Sequence, residues 1–217
     1  MIFGSIEYLN LLPFRIFLKK QLKGNATYQA LHYKSGVPSQ INQAFKSRRI
    51  DAAFISSIES KKACCSDLGI IAYKEVRSVF VIPNTQNKQD SASATSNQLA
   101  KILGLEGEVI IGDRALKFYL QGGEAIDLAS QWYIKHKLPF VFARLCYNKH
   151  ADKIKKLIQS FQNSSVKIPQ YILKREAKKR NITPKELQEY LNYIQYDIDH
   201  KAKRSFKLFI SRARRLA

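Results

Sequence analysis

Short apolar runs alternate with amphipathic stretches along the first third of the chain. Short apolar runs predict strands, whereas apolar residues that recur every three or four positions predict helices. Strands that alternate with helices are typical of an α/β fold with a mostly parallel sheet and helices on both of its faces. The predicted strands are 2–6, 28–33, 50–55 and 76–82, and the predicted helices are 12–22 and the segment that begins at Pro38.

The run Leu-Pro-Phe-Val-Phe-Ala at 138–143 does not alternate between apolar and polar residues. Because a half-exposed strand alternates, this run predicts a strand that is buried on both faces, in the interior of a sheet. Upstream of it, Gly112 and Asp113 follow the strand predicted at 108–111. Sheets of this class bind ligands beyond the carboxyl ends of their strands, which predicts a ligand near these two residues.

A polar segment at 84–96 interrupts the pattern and predicts a surface connection between two parts of the chain. We expect 84–143 to form a smaller lobe, and 1–83 together with 144–217 to form a larger, discontinuous lobe. The C-terminal part predicts helices, and the motif Thr183-Pro184-Lys185-Glu186 combines a capping box with proline at the first helical position. The apolar stripe that follows this motif is Leu187, Tyr190, Leu191, Ile194 and Ile198.

The composition is that of a globular protein, with 217 residues of which 45% are hydrophobic and 25% charged. No apolar run approaches the roughly 18 residues of a membrane span, and the first residues lead directly into a strand, so we expect no signal peptide and a cytoplasmic location. The number of cysteines is odd and two of them are adjacent. We therefore expect Cys64, Cys65 and Cys146 to be free, small, buried residues in a reducing compartment.

The net charge of +20 results from 37 Lys and Arg against 17 Asp and Glu. Such a balance suits nucleic acid, anionic lipid or an anionic small substrate, and it also occurs where it has no function. Because the charge is spread along the chain and no recognition motif accompanies it, we expect neither a nucleic-acid nor a membrane partner. The charge can still attract an anionic substrate.

Polar side chains near the ends of predicted strands are candidates for a ligand site. Asn10 follows the first strand, and its amide can both donate and accept hydrogen bonds, although it can also close a turn. Ser56 and Ser57 follow the strand at 50–55 and can instead cap a helix. Ser78 lies within an apolar strand, where a buried hydroxyl needs a partner.

The segment Ser-Ala-Thr-Ser at 93–96 begins a predicted helix, whose free N–H groups and dipole favour an anion. Ser93, Thr95 and Ser96 are therefore candidate ligands of a carboxylate, although an ordinary N-cap has the same pattern. Asp113 is open to several roles, as a base, a hydrogen-bond acceptor or a helix cap. The sequence contains no legible nucleophilic triad and no glycine-rich phosphate loop.

The order and spacing of these motifs resemble the chorismate dehydratase family of the futalosine route of menaquinone biosynthesis. No single motif is specific to that family, but their joint order extends over nearly the whole chain. The segments that carry the resemblance are Tyr-Leu-Asn at 8–10, Ile-Asp-Ala-Ala at 50–53 leading to Ser56, 93–96, Ile-Gly-Asp-Arg-Ala-Leu at 111–116, 127–128 with Trp132, and 138–143.

The resemblance implies an α/β fold like that of the type II periplasmic binding proteins. Such a fold has two lobes with mixed, mostly parallel sheets, a ligand cleft between them and, here, a helical C-terminus. The resemblance also implies a carbon–oxygen lyase (a hydro-lyase) that removes water from chorismate to give 3-[(1-carboxyvinyl)oxy]benzoate, without a metal or a cofactor. Asn10 and Ser78 match the functional asparagine and serine of the family.

The same resemblance assigns most of the rest of the predicted substrate site. The helix start at 93–96, with Ser93, Thr95 and Ser96, matches the group expected to hold a substrate carboxylate. Gly112 and Asp113 match a loop that lines the cleft. Ser56 and Ser57, at the end of the third strand, complete the predicted substrate-binding set.

Two other kinds of function stay open. The 1,4-dihydroxy-6-naphthoate synthases of the same pathway share the fold, but they act on a larger substrate and use a histidine without a clear counterpart here. A non-catalytic solute-binding protein also shares the fold, but it is expected to carry a secretory signal or a lipid anchor. The sequence leaves the oligomeric state open between monomer and homodimer.

Overall fold

The computed structural model describes residues 1–24, 32–83 and 86–216. Within these residues the chain forms an α/β fold with a larger and a smaller sheet. The strands are β1 (Ile2–Ser5), β2 (His32–Ser35), β3 (Ala52–Ser56), β4 (Cys65–Ala72), β5 (Val79–Ile82), β6 (Glu108–Ile111), β7 (Ile126–Asp127), β8 (Phe140–Tyr147) and β9 (Gln195–Asp197). The helices are α1 (Leu12–Gly24), α2 (Pro38–Lys46), α3 (Ala94–Leu103), α4 (Gly112–Leu120), α5 (Leu128–His136), α6 (Ala151–Gln162), α7 (Gln170–Arg180), α8 (Pro184–Leu191) and α9 (His200–Arg215).

The larger sheet has the strand order β2-β1-β3-β8-β4-β9, and the smaller sheet has the order β6-β5-β7. β1 pairs in parallel with β2 and β3, whereas the other pairings between the described strands are antiparallel. The larger sheet is mixed as predicted, but the expectation of mostly parallel pairing is wrong. The reason is that β8 returns from the smaller sheet and inserts between β3 and β4, running against both strands.

The prediction of a buried interior strand at 138–143 is confirmed by β8. This strand is paired on both sides, and Phe140, Val141 and Ala143 are buried. Phe142 is partly exposed because it faces a cavity between the two sheets.

The chain passes from one sheet to the other at positions that differ from 84 and 143, the predicted bounds of the smaller lobe. β5 falls inside the predicted larger lobe but is the middle strand of the smaller sheet, and β8 begins inside the predicted smaller lobe but belongs to the larger sheet. The chain therefore crosses between the sheets at 73–78 and at 137–139. Residues 84 and 85 lie outside the described residues, as do 28–31 of the predicted strand at 28–33, whose described end is part of β2.

The predicted capping box is confirmed at the start of α8. Glu186 N donates to Thr183 Oγ1 at 3.1 Å, Thr183 N donates to Glu186 Oε2 at 2.6 Å, and Pro184 is the first helical residue. The reciprocal bonds also hold the pKa of the Glu186 carboxyl below its usual value. This local motif fixes where the chain turns into α8, independently of the distant parts of the fold.

The last helix connects the two sheets. Trp132 on α5 is fully buried and donates from Nε1 to Ser205 Oγ on α9 at 2.8 Å. Phe209 on α9 packs edge-on against Phe140 of β8 with ring centroids 5.1 Å apart. In the described part of the chain, the helices are too short or too polar to span a membrane.

The expectation of three free, buried cysteines is wrong. Cys65 and Cys146 form a disulfide, and Cys64 is an exposed free thiol. The pairing follows from the register of the sheet, because β4 and β8 run antiparallel with Cys65 directly opposite Cys146. An argument from cysteine count alone misses this pair, since an odd total leaves one thiol over without identifying it.

Candidate active site

A narrow cavity lies between the two sheets, and residues from both form its walls. It has about 570 Å³ of empty space, part of it open solvent, and we call this cavity the slot. Its lining consists of Ile6, Tyr8, Asn10, Leu11, Pro38, Phe54, Ser56, Ile70, Val76, Ser78, Val79, Ser93, Ser96, Ile111, Gly112, Phe142 and Ala143.

Six of the nine predicted site residues line this slot. The structure thus brings together residues that are up to about a hundred positions apart in sequence. These six are Asn10, Ser56, Ser78, Ser93, Ser96 and Gly112. The remaining three, Ser57, Thr95 and Asp113, lie outside the lining and hydrogen-bond to protein groups.

Several helices begin at the slot. Asn10 belongs to a 3-10 turn (Leu9–Leu11) that leads directly into α1, while Pro38 and Gly112 are the first residues of α2 and α4. Ser93 is the N-cap of α3. Because helix N-termini present partial positive charge and free N–H groups, the slot favours an anionic ligand even though no Lys or Arg is among its described lining residues.

Asn10 presents an unused acceptor at the slot. Its Oδ1 atom is buried and has no hydrogen-bond partner in the described part of the structure. Its main-chain oxygen accepts a hydrogen bond from Tyr196 Oη at 2.6 Å, which holds the turn in place. A buried polar atom without a protein partner is costly, which makes this oxygen a candidate contact for a ligand.

Ser78 is fixed on three sides at one of the crossings between the sheets. Its main-chain oxygen accepts from Gly112 N at 2.8 Å, and its Oγ accepts from Tyr190 Oη at 2.9 Å. Just before it, the N–H groups of Val76 and Arg77 donate to Asp127 Oδ2 at 2.9 and 2.8 Å. These bonds hold Arg77 in a left-handed conformation with φ 56°, and they set the direction in which Ser78 enters the slot.

At the start of α3, some side chains line the slot and others hydrogen-bond elsewhere in the protein. Ser93 Oγ donates to Ser96 Oγ at 2.8 Å and accepts from Ser96 N at 3.2 Å. The Ser96 hydroxyl hydrogen is therefore left available to a ligand in the slot. Thr95 does not line the slot, and its Oγ1 instead accepts from Ile58 N at 3.1 Å, which joins α3 to the segment that follows β3.

Ser56 and Ser57 point to opposite sides at the end of β3. Ser56 lines the slot, and Asn42 on α2 binds it twice, with Nδ2 donating to its Oγ at 2.8 Å and Oδ1 accepting from its N at 3.1 Å. Ser57 is fully buried and donates from Oγ to Val141 O at 2.6 Å. Of this pair, Ser56 is the one placed to meet a ligand.

Position 112 requires a glycine because of its backbone conformation and because the Tyr8 ring lies close to it. Its φ of +66° is a conformation that other residues rarely adopt, and a Cβ atom there would lie 2.9 Å from ring carbons of Tyr8. Burial, helped by the negative charges of Asp90 and Asp113, raises the pKa of Tyr8 to about 12, so the phenol stays neutral. Tyr8 and Gly112 thus form a close, uncharged wall of the slot.

Asp113 connects the start of α4 to Leu9 and to α7, and it is not among the described lining residues of the slot. Its Oδ1 accepts from Leu9 N at 3.0 Å, and its Oδ2 accepts from Arg180 Nε on α7 at 2.7 Å. Arg180 also donates to Glu176 Oε2 at 2.6 Å and to Glu7 O at 2.8 Å. This network, which we call the Arg180 cluster (Glu7, Asp113, Glu176 and Arg180), ties the start of α4 to the chain before α1.

The described lining contains no Asp, Glu or His, and Tyr8 is its one titratable side chain. A reaction in this slot that removes a proton near neutral pH therefore has no ordinary side-chain base at hand. Neutral donors and helix N-termini can instead orient a reactant and stabilise negative charge that develops on it.

The sequence did not reveal which residues hydrogen-bond to the predicted site residues. Asn42, Arg180 and Tyr196 were not candidates, and Tyr190 was assigned only to an apolar stripe. The helical period that places Tyr190 in the core is correct, since it is buried, but periodicity does not report the use of its hydroxyl.

At the level of sequence, the chain matches a known family and a curated relative over its whole length. A family model described as menaquinone biosynthesis matches residues 1–108 and 104–215. A chorismate dehydratase from Campylobacter jejuni is 48% identical over 221 aligned residues, which cover 100% of this chain and 99% of the relative.

At the level of structure, the chain is similar to proteins that are distant in sequence. A crystal structure of a protein from Archaeoglobus fulgidus matches with a TM-score of 0.71 at 9% identity, covering 99% of this chain and 97% of that one. The periplasmic aliphatic sulphonate binding protein SsuA from Escherichia coli matches with a TM-score of 0.56 at 14% identity, covering 100% and 92%. These similarities concern the fold alone, and they confirm the predicted periplasmic-binding-protein-like class.

Proposed function

This chain belongs to the menaquinone-biosynthesis family, and from that premise we propose that it is a chorismate dehydratase. In this proposal the protein is a hydro-lyase that removes water from chorismate and releases 3-[(1-carboxyvinyl)oxy]benzoate. The proposal is supported by the full-length likeness to the Campylobacter jejuni chorismate dehydratase. It is also supported by a slot at which several helices begin, which favours an anion.

The observation that carries the proposal is the pairing of Asn10 and Ser78 in a slot whose described lining residues include no Asp, Glu or His. Dehydration of chorismate removes one ring proton and the neighbouring hydroxyl as water, and the remaining ring becomes aromatic. We propose that the enolpyruvyl carboxylate of the substrate takes the ring proton, while Asn10 and Ser78 position that carboxylate and the leaving oxygen. Aromatisation supplies a large driving force, so the protein needs mainly to orient groups and stabilise charge.

The two ends of the substrate have different surroundings in this proposal. The N-terminus of α3, with Ser93 and Ser96, receives a carboxylate through charge-assisted hydrogen bonds, each of which contributes about 1.5–3 kcal/mol. The apolar side chains of Phe54 and Phe142 flank the ring. Ser56, held by Asn42, offers a further hydroxyl to the polar groups of the substrate.

The direct test is incubation of the purified protein with chorismate. We expect the ultraviolet spectrum of an aromatic enol-ether benzoate to appear, with a product lighter than chorismate by one water. Turnover of a cyclic futalosine in place of chorismate would assign the chain to the 1,4-dihydroxy-6-naphthoate synthases. Reversible binding of a solute without any reaction would favour a solute-binding protein and contradict the proposal.

The net charge of +20 predicts a dependence on salt. Because chorismate is a dianion, we expect kcat/KM to fall severalfold when ionic strength rises from about 0.01 M to about 0.15 M, as the Debye length shrinks from about 30 Å to about 8 Å. We expect kcat in the same titration to stay constant, since the slot itself is lined by neutral groups. A kcat/KM that does not change with salt would show that the basic surface plays no part in substrate capture.

We also propose a cytoplasmic location, because a biosynthetic enzyme works where its substrate is made. In that compartment glutathione and thioredoxin keep thiols reduced, so Cys65 and Cys146 would be present there largely as a neighbouring pair of thiols.

A further inference from the structure

Two tyrosines of the C-terminal segment, one buried and one partly buried, each contact one of the two proposed catalytic residues. Tyr190 on α8 donates from Oη to Ser78 Oγ at 2.9 Å, and Tyr196 on β9 donates from Oη to the main-chain oxygen of Asn10 at 2.6 Å. Neither tyrosine lines the slot. The bond to Ser78 differs from the other one because it meets the side-chain atom that faces the substrate.

We propose that Tyr190 is a positioning residue that fixes the Ser78 hydroxyl as a hydrogen-bond donor toward the substrate. The inference rests on the proposed function, since it assigns a direction to a hydroxyl that is placed in the reaction by that proposal. Tyr190 does not touch the substrate in this arrangement and acts only through Ser78.

The direction of the Ser78 hydroxyl follows from counting its hydrogen and its lone pairs. A serine hydroxyl has one hydrogen to donate and two lone pairs to accept with. Tyr190 donates to one lone pair, and Val76 O, the acceptor to which the Ser78 hydroxyl donates among the described residues, is 3.4 Å away. That distance is too long for a strong O–H···O bond, so the hydrogen is left for an oxygen of the substrate.

Tyr190 is well suited to this role because its own proton is retained. Its side chain is almost completely buried, and burial raises the pKa of its phenol. Its position is fixed by α8, whose start is set by the capping box at Thr183. Ser78 cannot move away from it easily, because Gly112 N holds the Ser78 main-chain oxygen.

The chemistry explains why the donor direction matters. In the proposed dehydration an oxygen leaves the ring and the carboxylate that takes the proton is an anion, so both oxygens need donors. A Ser78 hydroxyl whose hydrogen points away from the substrate would present only a lone pair to it, which repels both oxygens. Loss of the Tyr190 hydroxyl allows the Ser78 hydrogen to turn toward the position that Tyr190 Oη occupies, because no donor then fills that lone pair.

The test is the variant Tyr190→Phe, which keeps the ring in place and removes only the hydroxyl. We expect kcat for chorismate to fall about tenfold while KM changes less than twofold. The loss is smaller than the roughly 100- to 1000-fold typical of removing an oriented donor, because Ser78 keeps its hydroxyl. The matched control is Tyr73→Phe, which removes a hydroxyl that is bound to Asp199 Oδ2 at 2.5 Å and does not line the slot, and it is expected to keep kcat.

A double variant separates positioning from a general effect on the fold. Because Tyr190 acts through Ser78, Ser78→Ala combined with Tyr190→Phe should have the same kcat as Ser78→Ala alone, whereas independent effects would multiply. An unchanged kcat in Tyr190→Phe, or multiplying losses in the double variant, overturns the inference and leaves the proposed function standing. A wild-type protein that does not convert chorismate overturns both.

Discussion

Alanine at Asn10 is expected to lower kcat for chorismate by at least about 100-fold, the loss typical of removing one oriented group that stabilises developing charge. The same change is expected to leave the melting temperature unchanged or slightly raised. Asn10 Oδ1 is buried without a partner in the described structure, so removing it breaks no hydrogen bond of that atom and relieves a desolvation cost. A residue that serves a ligand at the expense of stability has this combination of effects.

The measurement is steady-state turnover of chorismate beside a thermal unfolding curve for each variant. Asn163→Ala is the control, because Asn163 is exposed at the end of α6 and lies outside the slot. A folded Asn10→Ala variant with the wild-type rate would remove Asn10 from the proposed machinery. A variant that loses rate and stability together would instead give Asn10 a structural role.

Features set by neighbouring residues were predictable from the sequence. The capping box at Thr183 predicted the start of α8, and the non-alternating run at 138–143 predicted an interior strand. Both depend on interactions within a few residues or on burial of one continuous run, which a sequence displays directly.

Features that depend on register between distant strands were not predictable. The expectation of mostly parallel strand pairing was wrong because β8 returns from the smaller sheet and lies between β3 and β4. Nothing in the sequence of β8 indicates its direction. The disulfide was missed for the same reason, since only the register of β4 against β8 places Cys65 opposite Cys146. Long-range pairing carries no local signal in one sequence.

The candidate site falls between these two cases. The types of residue were recognisable, and six of nine predicted positions line the slot. What the sequence left open was the partner of each polar group. From the sequence, Asp113 could equally be a base, a hydrogen-bond acceptor or a helix cap. Its partner Arg180 lies 67 residues away in a different helix.

Methionine at Arg180 is expected to destabilise the protein by about 3 kcal/mol, because breaking a buried ion pair leaves uncompensated charge behind. Arg180 and Glu176 have side chains only 13% and 6% exposed, and their closest approach is 2.6 Å. For a chain of this size, such a loss lowers the melting temperature by about 10 °C. Arg175→Met is the matched control, since Arg175 lies on the same helix and binds the same Glu176 at 3.0 Å but is 53% exposed, which limits its expected effect to about 1 kcal/mol or less.

The pH dependence of the difference in stability between wild type and Arg180→Met identifies the cause of that difference. Burial alone would raise the pKa of Glu176, but the guanidinium groups of Arg175 and Arg180 outweigh burial and hold it below its usual value. A carboxyl with a lowered pKa adds stability above the ordinary carboxyl range and loses that contribution as the pH falls through its folded pKa. The gap between wild type and Arg180→Met should therefore be largest near neutral pH and shrink in acid, whereas a gap that is constant with pH would indicate lost packing of the arginine side chain.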